Sequence, residues 1–204
     1  MVTGIRIVVP TMGDRLSLRD TLDSLATQTR DDDTVYVISD TVKPLPELRL
    51  LTDYMGSEHA GTWIYDAAGR HYGDWGHTPR NIGIDSFPDG ATVWTLDDDD
   101  VAAPVALESI RQAVAEYPGR LLVFRMWFGP GHFAYGMTLW RQKRLRHGEV
   151  GTPMLVAPKG AARFASDYSG DWAYAEACQA EYGAAVFVDR LVAQIRPVVQ
   201  PSCR

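Results

Sequence analysis

The sequence predicts an α/β protein in which a mixed, mainly parallel β-sheet is flanked by helices. Short apolar runs such as Ile5 to Val9 are typical of strands buried on both faces. Amphipathic segments alternate with these runs along the chain, as in βαβ units. The 204 residues are 46% hydrophobic and 23% charged, without a repeat or a Gly/Ser linker. We therefore expect one domain over residues 1–204.

The first predicted strand ends at Pro10, and an amphipathic helix follows from about Leu18 to Thr27. Its leucines recur at helical spacing, and Ser17 with Asp20 forms a capping-box-like start. The next elements are a strand at Thr34 to Ser39, a short helix around Glu47 to Met55 and a strand at Thr62 to Tyr65.

The middle of the chain carries stronger helix-start signals. Thr78 is predicted to cap a helix in which Pro79 takes the first position and which runs to about Ser86. Pro104 opens another helix with one apolar face. The other predicted elements are strands at Thr92 to Leu96 and Leu121 to Phe128, short strands near Phe133 to Leu139 and Thr152 to Ala157, a helix from Asp171 to about Tyr182, and a strand pair over Ala185 to Ile195.

Composition narrows the classes of function. A net charge of −6 does not favour bulk nucleic-acid binding. No apolar run reaches the roughly 18 residues that span a bilayer, and the N-terminus resembles a strand rather than a signal peptide. Cys178 and Cys203 fit no metal or redox spacing, which favours a reducing, cytoplasmic environment.

A basic cluster in "WRQKRLRH" is the local exception to the acidic character. It is either a solvated loop or strand edge, or a contact surface for a negatively charged acceptor. Its members are Arg141, Lys143, Arg144, Arg146 and His147.

Polar residues recur where the predicted strands end. In open α/β sheets, ligands bind outside the carboxyl ends of the strands, so these residues are expected to share one rim. The rim would contain Thr11, Asp14 and Arg15 after the first strand, Asp40 after the second, Asp97 to Asp100 after the fourth, and His77, Arg80 and Asn81 at the start of the helix that precedes the fourth.

The four consecutive aspartates, Asp97 to Asp100, are the strongest chemical signal in the sequence. Crowded carboxylates are costly unless they are protonated, solvated or bound to a cation. Mg²⁺ or Mn²⁺ prefers oxygen ligands and uses one or two carboxylates together with substrate phosphates. The run therefore indicates a metal–diphosphate site; the alternative is a solvated acidic turn that favours the N-terminus of the following helix.

Three segments resemble the family 2 glycosyltransferases, which have the Rossmann-like GT-A fold. They are "IRIVVPTMGDRLSLRDTLDSLATQT", "VYVISD" and "HTPRNIGIDSFPDGATVWTLDDDDVAAPVALESI", and the match extends over roughly residues 3–117. The resemblance implies transfer of a sugar, with inversion, from a nucleotide-sugar donor that is most often a UDP-sugar, with Mn²⁺ or Mg²⁺ as cofactor. It also implies a nucleotide-sugar-binding half at about 1–117 and an acceptor-binding half at about 118–204.

The resemblance assigns donor-binding roles to individual residues. Asp40 would hydrogen-bond the nucleobase, because a carboxylate can accept from an imide N–H; it could also be a simple strand-end cap. Arg80 would lie next to the nucleotide or pair with the acidic run, and Asn81 would order the loop around Asp97. Pro10 and Thr11 would lie along the nucleoside, with Arg15 nearby.

Within the acidic run, Asp97 and Asp99 match the outer positions of the family's DxD motif. Asp97 would face the ribose or the metal, and Asp99 would ligate the metal. Asp98 is a further donor-binding candidate, and Asp100 is expected to cap the next helix. A third metal ligand has no match, since no histidine follows His147.

The catalytic base is expected from the second half of the chain, since an inverting transfer needs a carboxylate that takes the proton of the acceptor hydroxyl. The family often has "ED" and an aromatic at the start of a late helix, and "SGDW" makes Asp171 the candidate, although Gly170 stands where the family often has a second acid. Asp171 could instead be a helix-start residue that the dipole stabilises. Asp167 and Glu149 are reserve candidates.

Several features are expected to surround the acceptor. Trp172 would wall the acceptor site or pack in the core, and the loop Trp127 to Gly136 would border the site. His77 and His132 are interpreted as structural histidines or extra ligands. The acceptor is expected to be soluble: a protein side chain, a small glycan or a modified DNA base.

Two alternatives to a glycosyltransferase remain. A nucleotidyltransferase also uses aspartates and metal, but "PTMGDR" lacks the expected Gly-rich basic loop. A non-catalytic nucleotide- or Ca²⁺-binding module is the other, although no EF-hand pattern follows the aspartates.

Overall fold

The computed structural model describes residues 4–13, 17–128, 140 and 142–195. The strands are β1 (Arg6–Thr11), β2 (Thr34–Ser39), β3 (Thr62–Ala67), β4 (Thr92–Thr95), β5 (Asp100–Ala102), β6 (Leu122–Trp127), β7 (Leu155–Pro158) and β8 (Val186–Ile195). The helices are α1 (Leu18–Ala26), α2 (Pro46–Glu58), α3 (His77–Asp85), α4 (Ala106–Glu116) and α5 (Gly170–Tyr182), and a 3₁₀ turn at Thr152–Met154 precedes β7.

All of these strands belong to one sheet with the order β3-β2-β1-β4-β7-β6-β8-β5. β1 pairs in parallel with β2 and β4, and β2 pairs in parallel with β3. β6 and β8 are also parallel, whereas the pairs that involve β7 or β5 are antiparallel. The predicted mixed, mainly parallel α/β fold is confirmed.

The first half of the sheet has the burial that its apolar runs predict. The apolar side chains of β1 and β2 are buried on both faces, because helices cover each side of the sheet. β3, at the sheet edge, alternates between exposed and half-buried residues instead. Parallel pairing places the carboxyl ends of β1, β2 and β4 at one rim.

Gly83 explains the close packing of α3 on this sheet. A Cβ atom added at Gly83 would lie 2.6 Å from Cγ1 of Val8 and 3.0 Å from Cδ1 of Ile38. The glycine of the "RN-x-G" segment therefore lets the helix approach the strands that carry the rim.

Gly83→Ala should destabilise the protein by about 1–3 kcal/mol, because the added methyl group overpacks the contact with β1. Gly56→Ala is the matched control: Gly56 also lies inside a helix, but its added Cβ would meet Cβ of Trp63 at an ordinary 3.5 Å. The control should be neutral or stabilising by roughly 0.5–1 kcal/mol. Urea unfolding of both variants measures the difference, and equal effects would contradict the packing role of Gly83.

Several element boundaries differ from the sequence prediction for local reasons. Ser17 makes no side-chain cap hydrogen bond, so the predicted capping box does not form. α3 begins at His77, and Thr78 does not cap it. Asp74 accepts hydrogen bonds from the backbone N–H of Thr78, at 2.9 Å, and from its hydroxyl.

The edge of the sheet formed by β6, β8 and β5 differs more from the sequence prediction. The segment predicted as a strand pair is one ten-residue strand, β8, with irregular register near Arg125 of β6. Asp100 begins a short strand paired with β8, and α4 starts at Ala106 without a side-chain cap. The expectation that Asp100 caps the next helix is therefore wrong. The strand predicted near Phe133 to Leu139 lies outside the described residues.

Candidate active site

Two adjacent cavities lie along the rim where β1, β2 and β4 end. The first has a volume of about 490 Å³ and the second about 240 Å³. Trp75, Arg80 and Asp97 line both, so the cavities share one wall. The first cavity gathers most of the predicted donor-binding residues: Pro10, Thr11, Asp40, Arg80, Asp97, Asp98 and Asp99.

Asp40 anchors the loop that closes one side of the first cavity. Its carboxylate accepts hydrogen bonds from the backbone N–H groups of Tyr72, at 2.8 Å, and Gly73, at 3.0 Å. Nδ1 of His71 lies 3.1 Å from the same carboxylate. The backbone N–H of Asp40 in turn donates to the carbonyl of Thr11, at 2.7 Å, which ties the ends of β1 and β2 together.

Arg80 connects the two cavities. The residue is almost completely buried, at 4% exposure. Nη2 donates to a carboxylate oxygen of Asp97, and Nη1 donates to the carbonyl of Trp75 at 2.8 Å and to Nδ1 of His77 at 3.1 Å. The predicted pairing of Arg80 with the acidic run is thus present, and the same side chain fixes the wall between the cavities.

The acidic run is accommodated partly by protonation. Burial, and after it the charges of the neighbouring carboxylates of Asp97 and Asp99, raise the pKa of Asp100 to about 8. The negative charge of Asp97 is balanced by its ion pair with Arg80. The run therefore carries fewer than four negative charges at neutral pH, which relieves part of the repulsion expected from the sequence.

The donor set suits a hard divalent cation that also binds substrate. Asp97 and Asp99 offer carboxylate oxygens in the first cavity, and Mg²⁺ or Mn²⁺ needs only one or two carboxylates when phosphates and waters complete its shell. Within the described ranges, no group of three or more His, Cys, Asp or Glu side chains could hold a metal by itself. The residues therefore fit an ion shared with a diphosphate rather than a closed protein site.

Asp171 lines the second cavity at the start of α5. Its carboxylate accepts a hydrogen bond from the hydroxyl of Thr152 and another from the backbone N–H of Thr152, at 3.2 Å. Burial raises the pKa of Asp171, while the hydrogen bond from Thr152 and then the charge of Arg80 act in the opposite direction. An oriented carboxyl with a raised pKa suits a general base.

The contact between Gly170 and His77 explains the missing second acid of the "SGDW" segment. A Cβ atom at Gly170 would lie 2.5 Å from Nε2 of His77 and 2.6 Å from the carbonyl of Ala165. His77 is buried, stacks on Phe164 at 5.6 Å and lines the second cavity. Burial, followed by the charge of Arg80, lowers the pKa of His77, so the ring is neutral at physiological pH.

Asn81 does not order the loop around Asp97 as predicted. Its amide nitrogen donates to the carbonyl of Phe164, and its amide oxygen accepts from the backbone N–H of the same residue, both at 2.9 Å. Because both ends of the amide are used in this way, Asn81 anchors the segment that supports His77 and does not line the first cavity.

The other predicted site residues fall into three groups. Arg15, Asp14, His132, Arg141 and most of the loop Trp127 to Gly136 lie outside the described residues. Asp167 is exposed, and a hydrogen bond from Ser169 lowers its pKa, which disfavours it as a base. Glu149 lines neither cavity, whereas Trp172 and His147 both line the second one.

Thr152, Trp75 and Tyr168 were missed by sequence reasoning, although all three line the second cavity. Thr152 lies 19 residues before its partner Asp171, so no local pattern pairs them. The sequence did contain a signal for Trp75. The glycines that flank it in "GDWG" indicate a tight loop with an unusual backbone at the rim.

The sequence matches no known family profile and no curated protein. Solved structures share the fold. Residues 1–349 of TarS from S. aureus superpose with a TM-score of 0.74 at 15% identity, over 94% of this chain and 60% of that one. The same fragment in complex with UDP-GlcNAc gives a TM-score of 0.70 at 15% identity, over 94% of this chain and 58% of that one.

A mannosyltransferase, PcManGT from Pyrobaculum calidifontis, was solved with GDP-Man and Mn²⁺. It superposes with a TM-score of 0.65 at 15% identity, over 96% of this chain and 57% of that one. This chain therefore spans about 60% of the length of these neighbours. The predicted GT-A fold is confirmed: the curled mixed sheet flanked by helices is the one that these GT-A-like glycosyltransferases share.

In the described part of the chain, no helix is both long enough and apolar enough to cross a membrane.

Proposed function

We propose that this chain is a metal-dependent glycosyltransferase of family 2 that transfers a sugar, with inversion, from a nucleotide-diphosphate donor to an acceptor hydroxyl. A UDP-sugar is the favoured donor and the cytoplasm the expected location. The observation that carries the proposal is the pair of cavities joined by Arg80 and Asp97, with the acidic run in one and Asp171 in the other. The GT-A neighbours with UDP-GlcNAc and with GDP-Man and Mn²⁺ support it.

The first cavity is the proposed donor site, formed by the half of the chain at about 1–117. The nucleobase would lie against Asp40, whose carboxylate keeps acceptor capacity beyond its two hydrogen bonds to the 72–73 backbone. Pro10 and Thr11 would lie along the nucleoside, Arg80 would lie next to the diphosphate, and Asp98 would face the ribose hydroxyls. Asp97 and Asp99, as the DxD positions, would hold Mn²⁺ or Mg²⁺ together with the diphosphate.

The second cavity is the proposed acceptor site, and Asp171 is the proposed base. The acceptor oxygen forms a bond to the anomeric carbon while the bond from that carbon to the diphosphate oxygen breaks, and the diphosphate leaves with the electron pair. Asp171 takes the proton of the acceptor hydroxyl. When bound, the metal ion stabilises the charge that develops on the leaving diphosphate.

Asp99→Ala should abolish metal-dependent hydrolysis of a UDP-sugar while the nucleotide still binds, more weakly than to the wild type, because the base and ribose contacts remain but the metal-mediated contact is lost. Turnover is measured by release of UDP, and binding by calorimetry, in the same preparations. Asp53→Ala is the control, since Asp53 is an exposed aspartate on α2. Nucleotide binding by the wild type without turnover towards water or any acceptor would instead indicate a non-catalytic binding module.

Thr152→Val should move the acidic limb of the pH–rate profile to higher pH. The hydroxyl of Thr152 stabilises the ionised form of Asp171, so its loss raises the pKa of the base further. The base must be deprotonated to act, so activity falls as the pH decreases through that pKa. Thr152→Ser keeps the hydroxyl and should retain the wild-type profile. Acidic limbs at the same pH in wild type and Thr152→Val would contradict the coupling.

A further inference from the structure

Two aromatic side chains lie exposed at the mouth of the second cavity. Trp75 is 62% and Tyr168 86% exposed, and both line the cavity. Their ring centroids are 5.9 Å apart and their planes cross at 77°, so the rings form a corner rather than a stack. Large exposed apolar surfaces that border a cavity commonly mark a binding site.

The backbone of Trp75 is held in a conformation that bulky residues rarely adopt. Its φ is 57°, and Gly73 and Gly76 on either side also have positive φ. Arg80 fixes the loop by donating to the carbonyl of Trp75, and a Cβ atom at Gly76 would lie only 3.1 Å from Cβ of Pro10. The constrained backbone holds the indole ring of Trp75 in solvent, where the ring does not stabilise the fold. A strained residue that does not stabilise the fold indicates a functional role, here contact with a ligand.

The interior of the second cavity combines further rings with hydrogen-bonding groups. Trp172 and His147 pack edge to face at 6.0 Å, and both line the cavity beside Asp171 and Thr152. In this cavity, the apolar parts of a ligand would contact aromatic rings, and one of its hydroxyls could donate a hydrogen bond to the carboxylate of Asp171.

The charges in the second cavity do not suit an anionic ligand. The guanidinium of Arg80 is already paired with Asp97, and burial keeps His77 neutral. Asp171 adds a carboxylate near the position that an acceptor would occupy. A phosphate-bearing acceptor would therefore be repelled where a neutral one would not.

We infer that the second cavity binds a neutral pyranose ring, so that the acceptor is a glycan or glycoside, with Trp75 and Tyr168 as its aromatic platform. This rests on the proposed function in treating the cavity as the acceptor site. A pyranose presents C–H groups on its faces, which pack on aromatic rings, and hydroxyls at its edge, one of which would reach Asp171. A volume of about 240 Å³ suits about one ring.

Ligand-observed NMR with saturation transfer tests this inference on the whole chain in the presence of UDP and Mn²⁺. The neutral probes are methyl β-D-glucopyranoside, methyl α-D-mannopyranoside and methyl N-acetyl-β-D-glucosaminide. The anionic probes are glycerol phosphate and a thymidine oligonucleotide. At least one neutral glycoside should bind, and Tyr168→Ala should weaken its binding about tenfold, because the variant loses a ring on which the C–H face of the pyranose packs.

Tyr168→Phe keeps the ring and should bind as the wild type does. Tyr54→Ala removes another exposed tyrosine, on α2, and should also have no effect. The inference is overturned if no neutral glycoside binds, if Tyr168→Ala binds glycoside as tightly as the wild type, or if only the phosphate-bearing probes bind.

Calorimetry with UDP on the same samples separates this inference from the proposed function. UDP binding without any glycoside binding overturns the inference alone. Glycoside binding that depends on Tyr168, with no binding of UDP or another nucleotide, overturns the transferase proposal and leaves the pyranose site standing.

Discussion

Asp171→Asn should reduce the rate of sugar transfer by about 10²–10⁴-fold, the contribution that a positioned general base makes to such reactions. Asparagine has nearly the same shape as aspartate but cannot take the proton of the acceptor hydroxyl. Donor binding should persist, because Asp171 lines the second cavity and not the first. The measurement is kcat for transfer or donor hydrolysis, together with the Kd for UDP.

Asp167→Asn is the matched control for this substitution. Asp167 lies only four residues before Asp171, but it is exposed and lines neither cavity. It should retain wild-type turnover. Similar losses in the two variants, or undiminished turnover in Asp171→Asn, would contradict the assignment of Asp171 as the base.

Asp33→Ala should destabilise the protein by about 3–5 kcal/mol, the typical result of removing one partner of a buried ion pair. Asp33 is fully buried, and its carboxylate accepts hydrogen bonds from Arg111 and from the backbone N–H groups of Ile5, at 2.8 Å, and Arg30, at 2.9 Å. Its removal leaves the buried guanidinium of Arg111 with only the partly exposed carboxylate of Glu108, 4.0 Å away. Urea unfolding gives the free energy.

The double variant Asp33→Ala/Arg111→Met should be less destabilised than the sum of the two single variants, because it leaves no unpaired buried charge. Asp23→Ala is the surface control: its pair with Arg19 is largely exposed and should contribute less than about 1 kcal/mol. A loss below about 1 kcal/mol in Asp33→Ala would show that the pair does not tie α4 to the sheet.

The sequence predicted best the elements whose signals are local. The leucine spacing of α1 lies within one segment, and so do the apolar runs of β1 and β2. The gathering of Asp40, Arg80 and Asp97 at one rim also followed from a general rule, because parallel strands end on the same side of a sheet.

The features that sequence reasoning missed depend on partners far along the chain. β5 has three residues and exists because β8 pairs with it, and Asn81 pairs with Phe164 across 83 positions. Gly170 stands where the family often has a second acid, because the ring of His77 occupies the space that a side chain at position 170 would need. Such pairings follow from tertiary packing, which composition and periodicity do not encode.

The most direct test of the central claim is the thermal stability of the protein with nucleotide sugars in the presence and absence of Mn²⁺. A ligand at 100 times its Kd stabilises the folded state by about 2.7 kcal/mol, which corresponds to a rise in Tm of roughly 5–10 °C for a chain of this size. We predict that a UDP-sugar raises Tm with Mn²⁺ and raises it much less without. No metal-dependent stabilisation by any UDP-, GDP- or TDP-sugar would contradict the proposed function.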